Sequence, residues 1–471
     1  MFTLSKKTGA TLAACLLVTG LAAQKNNILE TWVTNPSQQV FFKKQHSSVV
    51  FSGKANPGNA VVTVDDKTRY QSIDGFGFSL TGGSALNLMK MKTSSRAALL
   101  KELFATDQAN IGTSYLRISL GASDLDEKVF SYDDLPAGET DPELKKFDLG
   151  YDKQYLIPVL KEILRINPSI RIMASPWSPP IWMKNNKDTR GGNLLKEWYP
   201  VYAQYFIKYI TAMKQQGIRI DAVTVQNEPL HPGNNPSLQM LAPDQAEFVR
   251  DHLGPAFAKA GIKTKIIIYD HNADRPDYPI SILNDAAAKK YIDGSAFHLY
   301  GGTVDAISSV HEAHPDKNLY FTEQWVGAPG NYQTDISWHI ETLVIGATRN
   351  WCKTVLEWNL ASDTAYRPFT DRGGCTSCLG AVTIDQAQDR VKRNPAYYII
   401  AHAAKFARPG SVRIASNLVE GLPNVAFKSP AGKYVLVVLN KQETARSFTI
   451  RCNNRFADVV VPAGSTVTYT W

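Results

Sequence analysis

The chain has 471 residues, 44% of them hydrophobic and 20% charged, with a formal net charge of +8. That length is too great for one small core and too short for more than about three domains, and the composition is that of a soluble globular protein. Lysines and arginines are scattered, with no basic run interleaved with aromatics, so the charge reads as a solvated surface and no nucleic-acid partner is expected.

In chain order, Lys6 and Lys7 precede the apolar run "TLAACLLVTGLAA", too short to span a bilayer, with small residues at Ala22 and Ala23. This reads as an export signal over residues 1–23, placing the protein in the periplasm, at the cell surface or outside the cell. An alternative takes "LAAC" as a lipoprotein signal anchored at Cys15. No other stretch approaches the length of a membrane span. Residues 24–70 carry "SVVFSG" and "AVVTVDD" between turns, the N-terminal strands of a side β-domain.

Over residues 71–404, short β-branched or aromatic runs alternate with amphipathic helical stretches such as "KQYLIPVLKEILRI" and "YPVYAQYFIKYITAMKQQ". The strand candidates are 72–80, 113–120, 170–177, 221–228, 264–272, 293–300, 318–325 and 353–360. Eight strands with helical spacers predict a (β/α)₈ barrel. Residues 405–471 return to short strands and turns ("VRIASN", "KYVLVVLN", "STVTYTW"), as in a sandwich. The predicted fold is therefore α/β, a (β/α)₈ barrel with a side β-sandwich built from both chain termini.

Cys375 and Cys378 form "GGCTSCLG", while Cys352 and Cys452 lie apart. One such pair supplies two ligands where a structural zinc needs four. In an exported protein it reads as a local disulfide closing a Gly-flanked loop. His231, His271, His298 and His402 lack metal-ligand spacing, and "GGSALN" lacks the lysine of a phosphate loop, so neither metal nor cofactor is expected. His231 and His402 read as ordinary loop and helix residues.

Barrel chemistry sits at the C-terminal strand ends. Those ends supply Asp124, Trp177, Asn227–Glu228, Asp270–Asn272, His298–Tyr300, Glu323 and Trp358–Asn359. Glu228 follows the fourth strand and Glu323 the seventh, which face each other across a barrel mouth. Retaining glycoside cleavage needs such a pair, one acid and one nucleophile, about 5–5.5 Å apart. Proximity predicts a raised pKa for Glu228 beside an ionised Glu323. Asn227 is placed to reach a sugar 2-hydroxyl, and Trp177, Trp325 and Trp358 offer stacking faces.

"TVQNEP", "YFTEQW", "SPWSPPIWMK", "LRISLGASDLD", "FHLYGG" and "LEWNLASD" together resemble glycoside hydrolase family 30, over roughly residues 48–471. The resemblance implies that Glu228 is the acid/base and Glu323 the nucleophile, with Asp124 and Trp177 on the non-reducing sugar. It further implies that His298 and Tyr300 flank the nucleophile, that Trp358 forms the pocket wall and that Arg117 orients the acid or nucleophile. A structural ion pair is the alternative for Arg117. Two departures set the chain apart from the glucosylceramidase branch: Gly82 stands where that branch has an Asp, and Gln324–Trp325 follow the nucleophile. The sequence is more similar to endo-β-1,6-glucanases, so a monomer acting on a β-glucan or β-glucoside is expected, with β-1,6-glucan ahead of glucosylceramide and Trp325 on the leaving-group side. A carbohydrate-binding protein without activity is the reading from another class, and the presence of both carboxylates speaks against it.

Overall fold

The structure, a computed structural model, describes residues 28–46 and 49–471; the export-signal reading of residues 1–23, with Cys15, falls outside them. Among the described residues no helix is long and apolar enough to cross a membrane. Eight parallel strands close into a barrel: β1 (Gly75–Ser79), β2 (Tyr115–Ser119), β3 (Arg171–Ser175), β4 (Ala222–Thr224), β5 (Lys265–Asn272), β6 (Ile292–His298), β7 (Asn318–Glu323) and β8 (Cys352–Asn359), which pairs back onto β1. Each falls on one of the eight predicted runs.

Helices α1 (Leu156–Ile166) and α2 (Tyr199–Gln215) are the two amphipathic segments picked out above. On α2, Tyr202, Tyr205, Phe206, Tyr209 and Met213 are buried, an apolar face recurring at three- and four-residue steps that packs on the barrel wall. Inside the barrel the strand period of two sets the layers. Tyr115, Met173, Ala222, Ile267, Ala296, Tyr320 and Leu356, one from each of β2 to β8, form a closed apolar cluster. This plug seals the lower barrel, so whatever lies two residues further along each strand meets the open mouth.

A nine-stranded sheet drawn from both ends of the chain stands beside the barrel. Glu30–Asn35 lies antiparallel to Thr466–Thr470, so the first and last strands are neighbours. The long strand Ala60–Ser72 links antiparallel Val412–Ser416 to parallel Arg446–Cys452. Its own core includes Leu29, Val62, Leu436, Phe448 and Tyr469. One expectation is corrected: within "SVVFSG" the described residues 49–53 form only isolated bridges at Val50 and Ser52, and the strands that precede them are Glu30–Asn35 and Val40–Gln45.

Helix α3 (Pro395–Ala404) joins the two units. His402 on it is fully buried, with Nε2 2.8 Å from Thr34 Oγ1 and Nδ1 2.9 Å from Thr468 Oγ1. Burial lowers its pKa to about 3. A depressed histidine pKa stabilises the fold fully above the unfolded value near 6.5 and loses that contribution as pH falls toward the folded value. Acidification from pH 7 to 5 is therefore expected to remove about 2 kcal/mol through this group. Thermal unfolding of the wild type and His402→Gln at both pH values checks this: the variant should lose less stability on acidification, and equal losses would remove His402 from the account.

Candidate active site

Two residues beyond the apolar plug, the same strand faces turn polar. Arg117 follows Tyr115, Ser175 follows Met173, Thr224 follows Ala222, His298 follows Ala296, Thr322 follows Tyr320, and Trp358 follows Leu356. Strand β5 breaks the alternation. Tyr269 and Asp270 have left-handed φ values of 71° and 65°, and the pairing with β6 slips between Tyr269 and His271. This bulge turns Asp270 inward, the re-aiming that bulges perform at barrel rims.

Asp270 is the hub that sequence reasoning noted only as a strand-end polar residue. Its Oδ2 accepts from Arg117 Nη2 at 2.8 Å and Thr224 Oγ1 at 2.8 Å; its Oδ1 accepts from Thr322 Oγ1 at 2.7 Å and faces His298 Nε2 at 3.1 Å. Arg117 spends its other N–H groups on Glu323 Oε2 (2.5 Å), Asn227 Oδ1 (2.6 Å) and Ser175 Oγ (3.1 Å). A buried charge left unpaired would be costly, and this network pairs each one. It makes Arg117 both a buried ion-pair partner and a direct contact of Glu323.

Glu228 lies just beyond β4 with φ 44°, a conformation that turns the chain sharply out of the strand and into Pro229. Its Oε1 is 3.2 Å from His298 Nδ1 and its Oε2 accepts from Asn234 Nδ2 at 3.1 Å. Glu323 ends β7, its Oε1 accepting from the Tyr300 hydroxyl at 2.9 Å. The structure brings the two glutamates together, with an oxygen of each within 4.8 Å of the other. His298 completes that trio as potential metal donors. Both of its ring nitrogens already face carboxylates, however, the pattern of a doubly protonated ring with no lone pair to give.

Ionisation follows from this packing. Burial opposes charge on His298, but Glu323, Asp270 and Glu228 hold its pKa up at about 9. Burial also opposes charge on Glu228, yet the His298 contact and its positive charge bring Glu228 down to about 2. Burial raises Glu323, while His298 and Arg117 pull against it and Glu228 adds to the rise. The predicted order is thus reversed: Glu228 is lowered and Glu323 raised. The physical reason is His298, whose Nδ1 contact with Glu228 no sequence feature announces. Asp124 is raised to about 8 by burial, then by Glu323 and Glu228, and so presents a protonated carboxyl at neutral pH.

A cavity of about 290 Å³ opens over these groups, lined by Asp124, Trp177, Tyr300, Trp325 and Trp358, with Trp325 packed against the Trp177, Trp358 and Cys378 cluster. Trp177 and Trp358 stack at 5.5 Å between ring centroids, and the Arg117 guanidinium sits 4.8 Å from the Trp177 ring, within cation–π range. Asn227, accepting from Arg117 through Oδ1, has no partner for its amide N–H₂ among the described residues. His231, an exposed residue of the loop after Glu228, lines the same cavity. Cys375 and Cys378 are joined, with Cα atoms 5.7 Å apart, and Cys378 pairs with Gly327, which sets the bridge on the cavity rim near Trp325. Gly82 has no room for a side chain, since a Cβ there would stand 1.7 Å from Asp126 Oδ1. That space is taken by the Asp126 carboxyl from the loop after β2.

Over residues 73–407 the chain matches the glycosyl hydrolase family 30 TIM-barrel domain, and over 410–469 the family's beta sandwich domain. It is 34% identical to an endo-1,6-beta-D-glucanase of Neurospora crassa, covering 89% of this chain and 87% of that protein. It is 28% identical to the lysosomal acid glucosylceramidase of Mus musculus, covering 87% and 83%. The solved structure of an endo-beta1,6-glucanase superposes with a TM-score of 0.88 at 36% identity, covering 94% of this chain and 99% of that one. A closed parallel barrel, a sheet shared by both termini and a family match across both units lead to one conclusion: the chain belongs to glycosyl hydrolase family 30 and is a glycosidase.

Proposed function

We propose that this enzyme cleaves β-1,6-glucan outside the cytoplasm by a retaining double displacement, with Glu323 as nucleophile and Glu228 as acid/base. The observation that carries the reading is the pair of glutamates at opposite strand ends with oxygens within 4.8 Å. So close an approach is on the side of the roughly 5–5.5 Å carboxyl separation of retaining sites and away from the roughly 6.5–9.5 Å that gives an inverting site its water. In the first step Glu323 attacks the anomeric carbon while Glu228 gives its proton to the departing oxygen. In the second, Glu228 takes a proton from water, which displaces Glu323. Asp124, Trp177, Asn227 and Trp358 hold the reacting glucose, and Arg117 and Tyr300 hold Glu323 in line.

Glu228 needs a proton for the first step. Two carboxylates this close share protons as a pair, so a sugar that requires Glu323 ionised moves the shared proton toward Glu228. The β-1,6 linkage is supported by the named glucanase relatives and by Gly82 and Trp325, where the chain departs from the glucosylceramidase branch. Export is supported by the N-terminal apolar run.

The test sets β-1,6-glucan, laminarin and glucosylceramide side by side. β-1,6-Glucan should be cleaved fastest, with the β-anomer appearing first by NMR. Faster glucose release from glucosylceramide would overturn the substrate, and an initial α-anomer would overturn retention.

A further inference from the structure

We infer that His271 reads the leaving-group sugar, bonding a hydroxyl of the glucose unit that departs on cleavage; this rests on the glucan reading above. The β5 bulge that turns Asp270 into the barrel leaves the next residue, His271, at the mouth, only 7% exposed and lining the cavity. Among the described residues nothing bonds to either of its ring nitrogens; Nδ1 is sealed from solvent, which leaves Nε2 as the nitrogen for a substrate hydroxyl. The two fully buried histidines are engaged at both nitrogens, His298 between Glu228 and Asp270 and His402 between Thr34 and Thr468. His314, buried away from the cavity, also leaves Nε2 without a partner, so what sets His271 apart is its place in the cavity lining. A buried nitrogen without a partner costs free energy, so an idle imidazole at a binding site awaits one.

The ring's charge narrows what that partner is. Burial brings the His271 pKa to about 4; Glu228 and Asp274 oppose the fall, while His298 and His231 add to it. At neutral pH the ring is uncharged, with one N–H donor and one lone pair. A hydroxyl both donates and accepts and so satisfies either tautomer. A carboxylate only accepts and an ammonium only donates.

Its position selects the side. The acid protonates the leaving oxygen, so the groups gathered around Glu228 face the departing unit. His271 feels the Glu228 charge directly and shares the rim with His231 and Asn234, both from the loop after Glu228. Trp177 and Trp358 gather instead around Arg117, which holds Glu323.

The test compares wild type, His271→Phe and His271→Gln on a β-1,6-linked gluco-oligosaccharide and on an aryl β-glucoside whose leaving group carries no hydroxyl. A site built to bond a hydroxyl loses heavily when the bond cannot form, so His271→Phe should lower kcat/KM on the oligosaccharide by about 10–100-fold. Its rate on the aryl glucoside should stay within about twofold of wild type. His271→Gln, which keeps a donor and an acceptor, should recover part of the loss, and melting temperatures identify any variant that fails to fold. Equal losses on both substrates in both folded variants, or no loss on the oligosaccharide, would overturn the inference. Wild-type enzyme that cleaves the aryl glucoside but no β-1,6 oligosaccharide would overturn the glucan reading itself, a failure distinct from that of His271.

Discussion

Glu323→Ala is expected to stop turnover of β-1,6-glucan, with kcat falling by at least ~10⁴-fold, and azide is expected to restore part of the activity on an activated aryl β-glucoside. The loss is large because the nucleophile forms the bond that splits one difficult displacement into two. Restoration follows from what remains: Arg117 and the Tyr300 hydroxyl, which hold the two oxygens of Glu323 at 2.5 and 2.9 Å, still line the vacated space and suit a small anion. Azide entering there attacks the face opposite the leaving group, so the product should be the α-glucosyl azide. Recovery of the β-glucosyl azide would assign Glu323 to the acid/base role, and absence of any azide product would remove it from the nucleophile role. The variant should fold, because Arg117 keeps Asp270 as an acidic partner at 2.8 Å.

Much of this site was legible in the sequence because strand ends in a parallel barrel converge. Once "TVQNEP" and "YFTEQW" were placed on the fourth and seventh strands, Glu228 and Glu323 had to meet, and Trp177 and Trp358 fell into place with them; Arg117 came only from the family resemblance. Asp270 was harder, because a strict alternation from Ile267 places Tyr269 inside. Only the bulge, with two left-handed residues in a row, exchanges them. A slip of one residue moves a side chain to the other face, and nothing in "IIIYDHN" announces the slip. The layer of Ser175, Thr224 and Thr322 was available in principle, two positions after each interior apolar residue, but it takes a known register to see it.

The protonation pattern was not legible for a different reason. It depends on which oxygen faces which ring nitrogen, a matter of a few ångströms that residue spacing does not encode. With His298 3.2 Å from Glu228 and 3.8 Å from Glu323, the imidazolium biases the pair toward an ionised Glu228 before substrate arrives. The proton for the leaving group is then placed by the substrate's own demand on Glu323, through the like-charge coupling of the pair.

Glu228→Ala tests the consequence. On β-1,6-glucan, whose leaving alkoxide must be protonated, the first step should slow by roughly 10²–10⁴-fold, the range of general acid catalysis. On an aryl β-glucoside with an acidic phenol the leaving group departs unaided, so that step should be nearly unchanged, and a burst of phenol should precede slow turnover as the glucosyl-enzyme waits for a base. Azide needs no base to attack, so it should relieve the second step and yield the β-glucosyl azide, the opposite anomer from Glu323→Ala. The pH profile should change as well. In the wild type the alkaline limb of kcat/KM reports loss of the proton shared by the pair, and without Glu228 that limb should vanish on the activated substrate. Rate measurements on both substrates across pH decide it. Equal slowing on glucan and aryl glucoside, or an alkaline limb that survives the substitution, would take the acid role away from Glu228 and return attention to Asp124, a buried carboxyl of the cavity that is raised to about 8.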